Sequence, residues 1–232
     1  SPPGRTRAWV FPASQLAILW FRAVISLPHP GELILYPLIE SSIVERLRDL
    51  MTTYDAISRV YAETREEGLL ARKLLNDVGD LISGLGPSVV LDVGAGAGGN
   101  LRVTRSFLGR AFYIGCDLSL GMIRASNEPI DWVNCSATHI PMKPGSVDLV
   151  ISIATLHHIP KPLVGNVLRG VYDTLRPGGL FMATVWGCNE ATVRRLRSIS
   201  DCEGFITWSH GLNGGVARYY RLYREGELES EV

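Results

Sequence analysis

The chain has 232 residues, with 23 Lys and Arg against 23 Asp and Glu, and 46% of it is apolar. That length and apolar share suit one domain with a full core, and a net charge of zero excludes a global basic field of the kind non-specific nucleic-acid binding needs. The elements follow in chain order. Residues 1–50 form an atypical N-terminal extension, with Pro2, Pro3, Pro12, Pro28 and Pro30 and no methionine before Met51. That break in composition suggests Met51 as the natural initiator and residues 51–232 as the functional domain. Ser14 to Leu27 is apolar but carries Arg22 and is too short to span a bilayer, so no membrane segment is expected. Ile43, Leu47 and Leu50 predict a short amphipathic helix over Ile43–Met51. Leu69, Leu70, Leu74, Leu75, Val78 and Leu81 predict a second over Glu66–Leu85. Strands and helices then alternate: strands at Val89–Val93, Phe112–Cys116, Trp132–Cys135, Val147–Ile153 and Leu180–Trp186, with helices starting at Asn100 and spanning Leu120–Ser126 and Val164–Leu175. This βαβ alternation predicts an α/β fold, a parallel sheet covered by helices on both faces.

The most informative stretch is Val89–Asn100, an apolar strand that ends in Asp92 and runs into Gly94, Gly96, Gly98 and Gly99. Glycines at the end of a parallel strand let the backbone take positive φ and approach a ligand, which marks a nucleoside-cofactor loop. Gly94, Gly96 and Gly99 also satisfy G-x-G-x-x-G, so the glycines alone do not choose between NAD and S-adenosylmethionine. Asp92 favours the latter, because a carboxylate in the loop mouth repels a pyrophosphate but pairs with the ammonium of a methionine moiety. Asp117 follows Gly94 by 23 residues, at the tip of the second of these strands, where a carboxylate accepts both ribose hydroxyls; the bland alternative is a turn or helix-cap acid.

The four cysteines, Cys116, Cys135, Cys188 and Cys202, form no C-x-x-C pair and have no histidine at metal spacing. They read as small buried residues or free thiols in a reducing compartment, and no metal site is expected. From Lys161 to Arg224, nine Lys and Arg face four acids. This local excess suits a polyanion, or is a solvated helix face.

Asp92-x-Gly94-x-Gly96-x-Gly98, Asp117, the Asp148 strand and the turn Leu175-Arg176-Pro177-Gly178-Gly179 together resemble the class I S-adenosylmethionine-dependent methyltransferases. The resemblance covers roughly residues 54–186 and implies a Rossmann-like doubly wound sheet. It also implies that Ser136 and Ala137, where most such enzymes have an acid, hold the adenine amino group, that Ile140 packs on the adenine ring, and that Ile153 lines the cofactor. His157, in Leu156-His157-His158, falls where the methyl group and its acceptor meet and is expected to line the acceptor site, with His158 structural.

Two flanking segments are more specific. Tyr54-Asp55-Ala56-Ile57-Ser58 through Thr64-Arg65, and Arg218-Tyr219-Tyr220-Arg221-Leu222-Tyr223-Arg224-Glu225-Gly226-Glu227-Leu228, are similar to the tRNA wobble-uridine carboxyl methyltransferases. These include the domain fused to an AlkB-like oxygenase in animals. Trp208 matches a Trp of that family, whereas Arg221 replaces its usual His. The resemblance implies esterification of 5-carboxymethyluridine in tRNA, in the cytoplasm, with a small zinc-binding activator protein as partner. A carboxylate with a pKa of about 4 is already ionised at neutral pH, so it needs alignment rather than a base. Arg218 or Arg221 is the candidate to orient it, Tyr219 or Tyr220 to stack on the uracil, and Arg65 to close over the cofactor. The family continues beyond the point matching Val232, so the last strands of the sheet are expected to be missing and strand Leu180–Trp186 to be an open edge unless residues 1–50 or another chain cover it. Two readings compete with this one: a methyltransferase acting on a quinone or phenolic acid, and a non-catalytic remnant that binds cofactor or tRNA.

Overall fold

A computed structural model of the chain describes residues 6–12, 36–64, 68–209 and 215–231. Arg65 lies outside them. The elements are β1 (Thr6–Pro12), α1 (Tyr36–Thr64), α2 (Leu69–Leu85), β2 (Val89–Val93), α3 (Gly99–Leu108), β3 (Phe112–Asp117), α4 (Leu120–Arg124), β4 (Asp131–Asn134), β5 (Val147–Ile153), α5 (Lys161–Thr174), β6 (Leu175–Trp186), α6 (Glu190–Val193), β7 (Arg197–Ser200), β8 (Glu203–Trp208), β9 (Val216–Arg221) and α7 (Glu227–Glu231).

Six strands form the main sheet in the order β1-β6-β5-β2-β3-β4. Five are parallel, as the βαβ alternation requires, and β5 is buried along its whole length because helices cover both faces. One face packs Leu91, Val93, Val150, Phe181 and Val185 against Val164, Val167, Leu168 and Val171 of α5. The other packs Val90, Leu149, Ile151 and Met182 against Leu74, Leu75 and Ile82 of α2. Adjacent strand residues fall in different clusters, which is the period of two expected of a sheet covered on both sides.

Three features complete or correct the expected sheet. First, of the cases left open for the edge of β6, cover by the extension is the one seen: β1 runs antiparallel to it in register from Thr6↔Trp186 to Pro12↔Leu180. The extension thus completes the sheet and satisfies backbone groups that would otherwise be an exposed template. Second, the predicted helix over Ile43–Met51 is part of the 29-residue α1, so the boundary at Met51 falls inside a continuous helix. Third, β7, β8 and β9 form a separate antiparallel sheet around Tyr220, Ile206 and Leu222. The final helix, α7, returns to the main core through Leu228.

The cysteines are a correction. Cys116 is bonded to Cys135 and Cys188 to Cys202, with no free thiol among the described residues. Spacings of 19 and 14 residues carry no local signature, and only the pairing of β3 with β4 and the packing of Cys188 beside the three-stranded sheet bring the partners together. The positive excess over 161–224 is also reduced, because acids from outside the segment meet its cations. Asp148 pairs with Arg176, and Glu227 and Glu231 with Arg221; inside it, Asp173 meets Arg169, Glu190 meets Arg194, and Asp201 meets Arg224. Among the described residues, no helix is long and apolar enough to cross a membrane.

Candidate active site

The order of the strands places the site. The strand order reverses between β2 and β5, which run parallel, and the loops that follow these two strands diverge to leave a crevice, the usual ligand position in an open α/β sheet. A cleft of about 340 Å3 opens there, with Gly94, Gly96, Asp117, Ser136, Ala137 and Ile153 in its wall. Leu118 and Met122 add an apolar side after β3, and Leu47, Leu50, Met51, Tyr54 and Tyr61 of α1 close it from above.

The glycine loop is moulded to its neighbours. Gly94 has φ +82°, and a Cβ there would fall 2.2 Å from Thr155 Oγ1, so only glycine fits both the backbone and the space. The N–H groups of Gly94 and Ala95 donate to the Cys116 carbonyl at 2.8 and 3.0 Å, which ties the loop to the end of β3. On the far side, Ala154 carries φ +60°, a left-handed conformation uncommon outside glycine, and its N–H donates to Thr184 Oγ1 at 2.9 Å. Strained backbone of this kind collects at functional sites.

Asp117 is the acid the cleft is built around. Its Oδ2 accepts from Gly96 N–H and its Oδ1 from Ser119 N–H, both at 2.8 Å. Each oxygen keeps a lone pair, so the carboxylate has capacity for two more donors, such as vicinal hydroxyls. Burial raises its pKa above the ordinary carboxylate value, against the lowering effect of the Ser119 and Gly96 hydrogen bonds. Asp55 braces the same corner from α1: its Oδ1 accepts from Ser119 Oγ–H at 2.5 Å and Gly121 N–H at 2.7 Å, while Ser119 Oγ caps α4 through Met122 N–H. Asp55 was visible in the sequence only as part of the Tyr54-Asp55 segment; its role depends on α1 crossing α4. Together, the loop, a buried carboxylate with spare acceptors, and the apolar pair Leu118 and Met122 fit the polar ribose and flat base of a nucleoside cofactor.

Several expected site residues stand elsewhere. Asp92 is fully buried in mid-sheet between Gly115 and Ile151 and is not part of the cleft wall, so its direct contact with a cofactor ammonium is corrected. Gly98 caps α3 at φ +91°, with Glu128 and Trp132 against it; Gly99 lines the cleft in its place. Ile140 packs in the core beside Gly170. Ser136 lines the cleft, with its hydroxyl 2.8 Å from Thr138 Oγ1.

At the acceptor end the two histidines exchange the places foreseen for them. His157 is stacked on Tyr220 at 5.1 Å between centroids and packed against Trp186, whereas His158 lines the cleft. In β9 the side chains alternate. Arg218 and Tyr220 face the histidines and Tyr54, and Tyr219 and Arg221 face the other way, with Arg46 of α1 5.1 Å above the Tyr219 ring. Tyr219 Oη donates to Glu203 Oε1 at 2.9 Å, and its pKa is raised by burial and by that carboxylate. It is not placed to stack on a base in the cleft. Arg221 is closed in by Glu227 (2.7 Å) and Glu231, with Tyr223 Oη 3.1 Å from its Nη1, so its charge is spent within the fold. Arg218 differs: it is 4% exposed, donates from Nη1 to Tyr54 Oη at 3.3 Å, and has no carboxylate partner among the described residues.

With this geometry in view, the comparisons with known proteins are informative. A family model described as a methyltransferase domain matches residues 90–179. A putative methyltransferase of Encephalitozoon cuniculi is 30% identical over 187 residues, 76% of this chain and 81% of that one. The chain belongs to the class I S-adenosylmethionine-dependent methyltransferases. A tRNA (carboxymethyluridine(34)-5-O)-methyltransferase of Arabidopsis thaliana is 32% identical over 162 residues, covering 66% of this chain but only 35% of that protein. The chain therefore spans about a third of that relative. In structure, the PH0226 protein of Pyrococcus horikoshii aligns with a TM-score of 0.57 at 17% identity, over 74% of this chain and 84% of that one, a likeness of fold. The matched methyltransferase domain runs from β2 into β6 and so contains the glycine loop, Asp117 and the Ala154 turn. The β7–β9 sheet and α1, which build the acceptor end, lie outside it.

Proposed function

We propose that this methyltransferase esterifies a carboxylate acceptor, and specifically 5-carboxymethyluridine at the wobble position of tRNA. The observation that carries the reading is Arg218. A buried cation costs about 3–5 kcal/mol more when left unpaired; Arg218 meets no carboxylate among the described residues, and its place beside the cleft-lining Tyr54 gives that end of the cleft a positive field. An anionic acceptor supplies the missing charge. The sequence likeness to proteins named for this reaction supports the same acceptor.

The cofactor residues are assigned within this reading. The backbone of the Gly94–Gly96 loop holds the amino-acid part, Asp117 accepts the ribose hydroxyls, and Leu118, Met122 and Ala137 enclose the base. When bound, S-adenosylmethionine supplies an electrophilic methyl group on a sulfonium centre. The protein needs no general base, because the acceptor is ionised at neutral pH. Its own residues orient and desolvate: Arg218 draws the carboxylate, Tyr54 and His158 form the wall beside it, and α1 excludes water from above. Leaving the carboxylate as its neutral ester cancels the attraction to Arg218, which favours release. A small zinc-binding activator belongs to this reading as a partner; the edge of β4, unpaired among the described residues, and the exposed Phe112 on the adjoining strand are surface available to it.

A second reading, a small carboxylic acid as acceptor, is favoured by the apolar wall of Leu47, Leu50 and Met51. Nucleoside mass spectrometry of tRNA bearing 5-carboxymethyluridine, incubated with the protein and S-adenosylmethionine with and without activator, tests the choice. Gain of one methyl on that nucleoside supports the tRNA reading. No gain, with cofactor bound and aromatic or aliphatic acids methylated, replaces it with the second.

A further inference from the structure

We infer that Tyr54 is a positioning residue that sets Arg218 at the acceptor end of the cleft, through a directed hydrogen-bond chain Arg218→Tyr54→His158→Tyr219. The inference rests on the reading of Arg218 as the group that draws an anionic acceptor. Its direction follows from donor and acceptor chemistry. His158 Nδ1 lies 2.8 Å from the main-chain oxygen of Tyr219. A carbonyl oxygen only accepts, so Nδ1 carries a proton. In the neutral ring Nε2 is then an acceptor, and the group facing it is Tyr54 Oη at 3.0 Å. The Tyr54 proton is therefore committed to His158, which leaves the phenol oxygen as an acceptor for Arg218 Nη1–H at 3.3 Å. Each link specifies the next.

The two ends of the chain, Arg218 and the Tyr219 carbonyl, are neighbours on β9, whereas the middle comes from α1 and from the turn Leu156–His158. The chain thus closes a loop across three elements at the point where the cleft ends. The guanidinium is also held between aromatic faces, 5.9 Å from the centroid of Tyr54 and 5.4 Å from that of Tyr220. Its Nε–H is buried and has no hydrogen-bond partner among the described residues. Rings fix the plane of the guanidinium without spending its donors; the Tyr54 oxygen fixes its rotation. Tyr54 and His158, not Arg218, line the cleft, so the phenol is the group through which the cation is presented.

Tyr54→Phe separates this from simple packing. It keeps the edge-to-face contacts with Tyr61 and His158, both at 5.6 Å, and removes only the oxygen. The full chain, unaltered and as Tyr54→Phe, is compared by NMR of 15N-labelled histidine and by calorimetric titration with free 5-carboxymethyluridine and with S-adenosylmethionine. Expected are a neutral His158 with its proton on Nδ1, a shift of the Nε2 resonance in Tyr54→Phe, and about a tenfold loss of nucleoside affinity with cofactor affinity unchanged. A His158 protonated on Nε2 at neutral pH, or equal nucleoside affinity in the two proteins, overturns the inference. Should the unaltered chain not bind the nucleoside, the substrate reading fails, and the histidine resonances still decide the hydrogen-bond chain. If Tyr54→Phe does not fold, His158→Gln serves: its amide offers both a donor and an acceptor, so it should retain more nucleoside affinity than His158→Ala, and equal loss in both counts against the chain.

Discussion

Arg218 and Arg221 stand three residues apart on β9, equally buried, with opposite electrostatic surroundings. Arg221 is met by Glu227 and Glu231, while Arg218 lies between tyrosine rings with no carboxylate among the described residues. An odd separation on a strand puts the two on opposite faces. One face looks to α7 and the other to Tyr54 of α1, behind the cleft wall.

Arg218→Ala should leave cofactor affinity intact and lower kcat/KM for the carboxylate acceptor by about 10- to 100-fold, the worth of a positive charge held just behind the cleft wall. Single-turnover methyl transfer and calorimetry with S-adenosylmethionine report the two quantities separately. A parallel fall in both means that Arg218 holds the fold together instead.

Arg221→Ala should act on stability. It removes the cation that Glu231 pairs with and leaves Glu227, also about one-fifth exposed, only Lys161 at 3.8 Å and the Arg224 N–H, so a loss of roughly 2–3 kcal/mol is expected. Urea denaturation measures it. The folded fraction should bind S-adenosylmethionine normally, and a selective catalytic defect at full stability would restore Arg221 to the site.

Asp117 predicts a pH dependence. Acceptance of ribose hydroxyls requires the ionised carboxylate, and burial raises its pKa. Affinity for the cofactor is therefore lost as pH falls through the raised value, at a higher pH than an ordinary carboxylate would give. Titration calorimetry from neutral pH downward follows the loss. Asp117→Ala should bind weakly at every pH, without that inflection.

Removal of residues 1–50 tests the extension. It deletes β1 from the edge of β6 and Leu47 and Leu50 from the cleft wall. The shortened chain should self-associate through the opened edge and bind cofactor less tightly. Size-exclusion chromatography and titration check each effect; a monomeric, fully binding protein would show the extension to be dispensable.

The Cys116–Cys135 link joins the strand ends that carry Asp117 and Ser136. Cys135→Ser should lower stability by about 2–3 kcal/mol, as expected for a closed loop of this length. Peptide mapping without reductant should recover the pairs 116–135 and 188–202, and finding free thiols instead would remove the effect.

Val89–Val93 and Val147–Ile153 were readable to the residue, because a buried parallel strand is a continuous apolar run bounded by turn residues. Gly94, Gly96 and Asp117 were readable as residues of the cleft for a related reason: their place follows from local backbone shape at a strand end. The parallel sheet and the nucleoside loop are thus local information, carried by periodicity and by where glycine must occur. His158 rather than His157 at the cleft, Tyr219 turned to Glu203, Arg221 enclosed by α7, β1 on the edge of β6, and both disulfides were not readable. Each depends on which distant segment lies across a given face, 104 residues away for Tyr54 and His158. Periodicity says that neighbouring side chains point to opposite sides, but it does not say what waits on either side. Packing alone settles that, and with it which of the two arginines is enclosed by carboxylates.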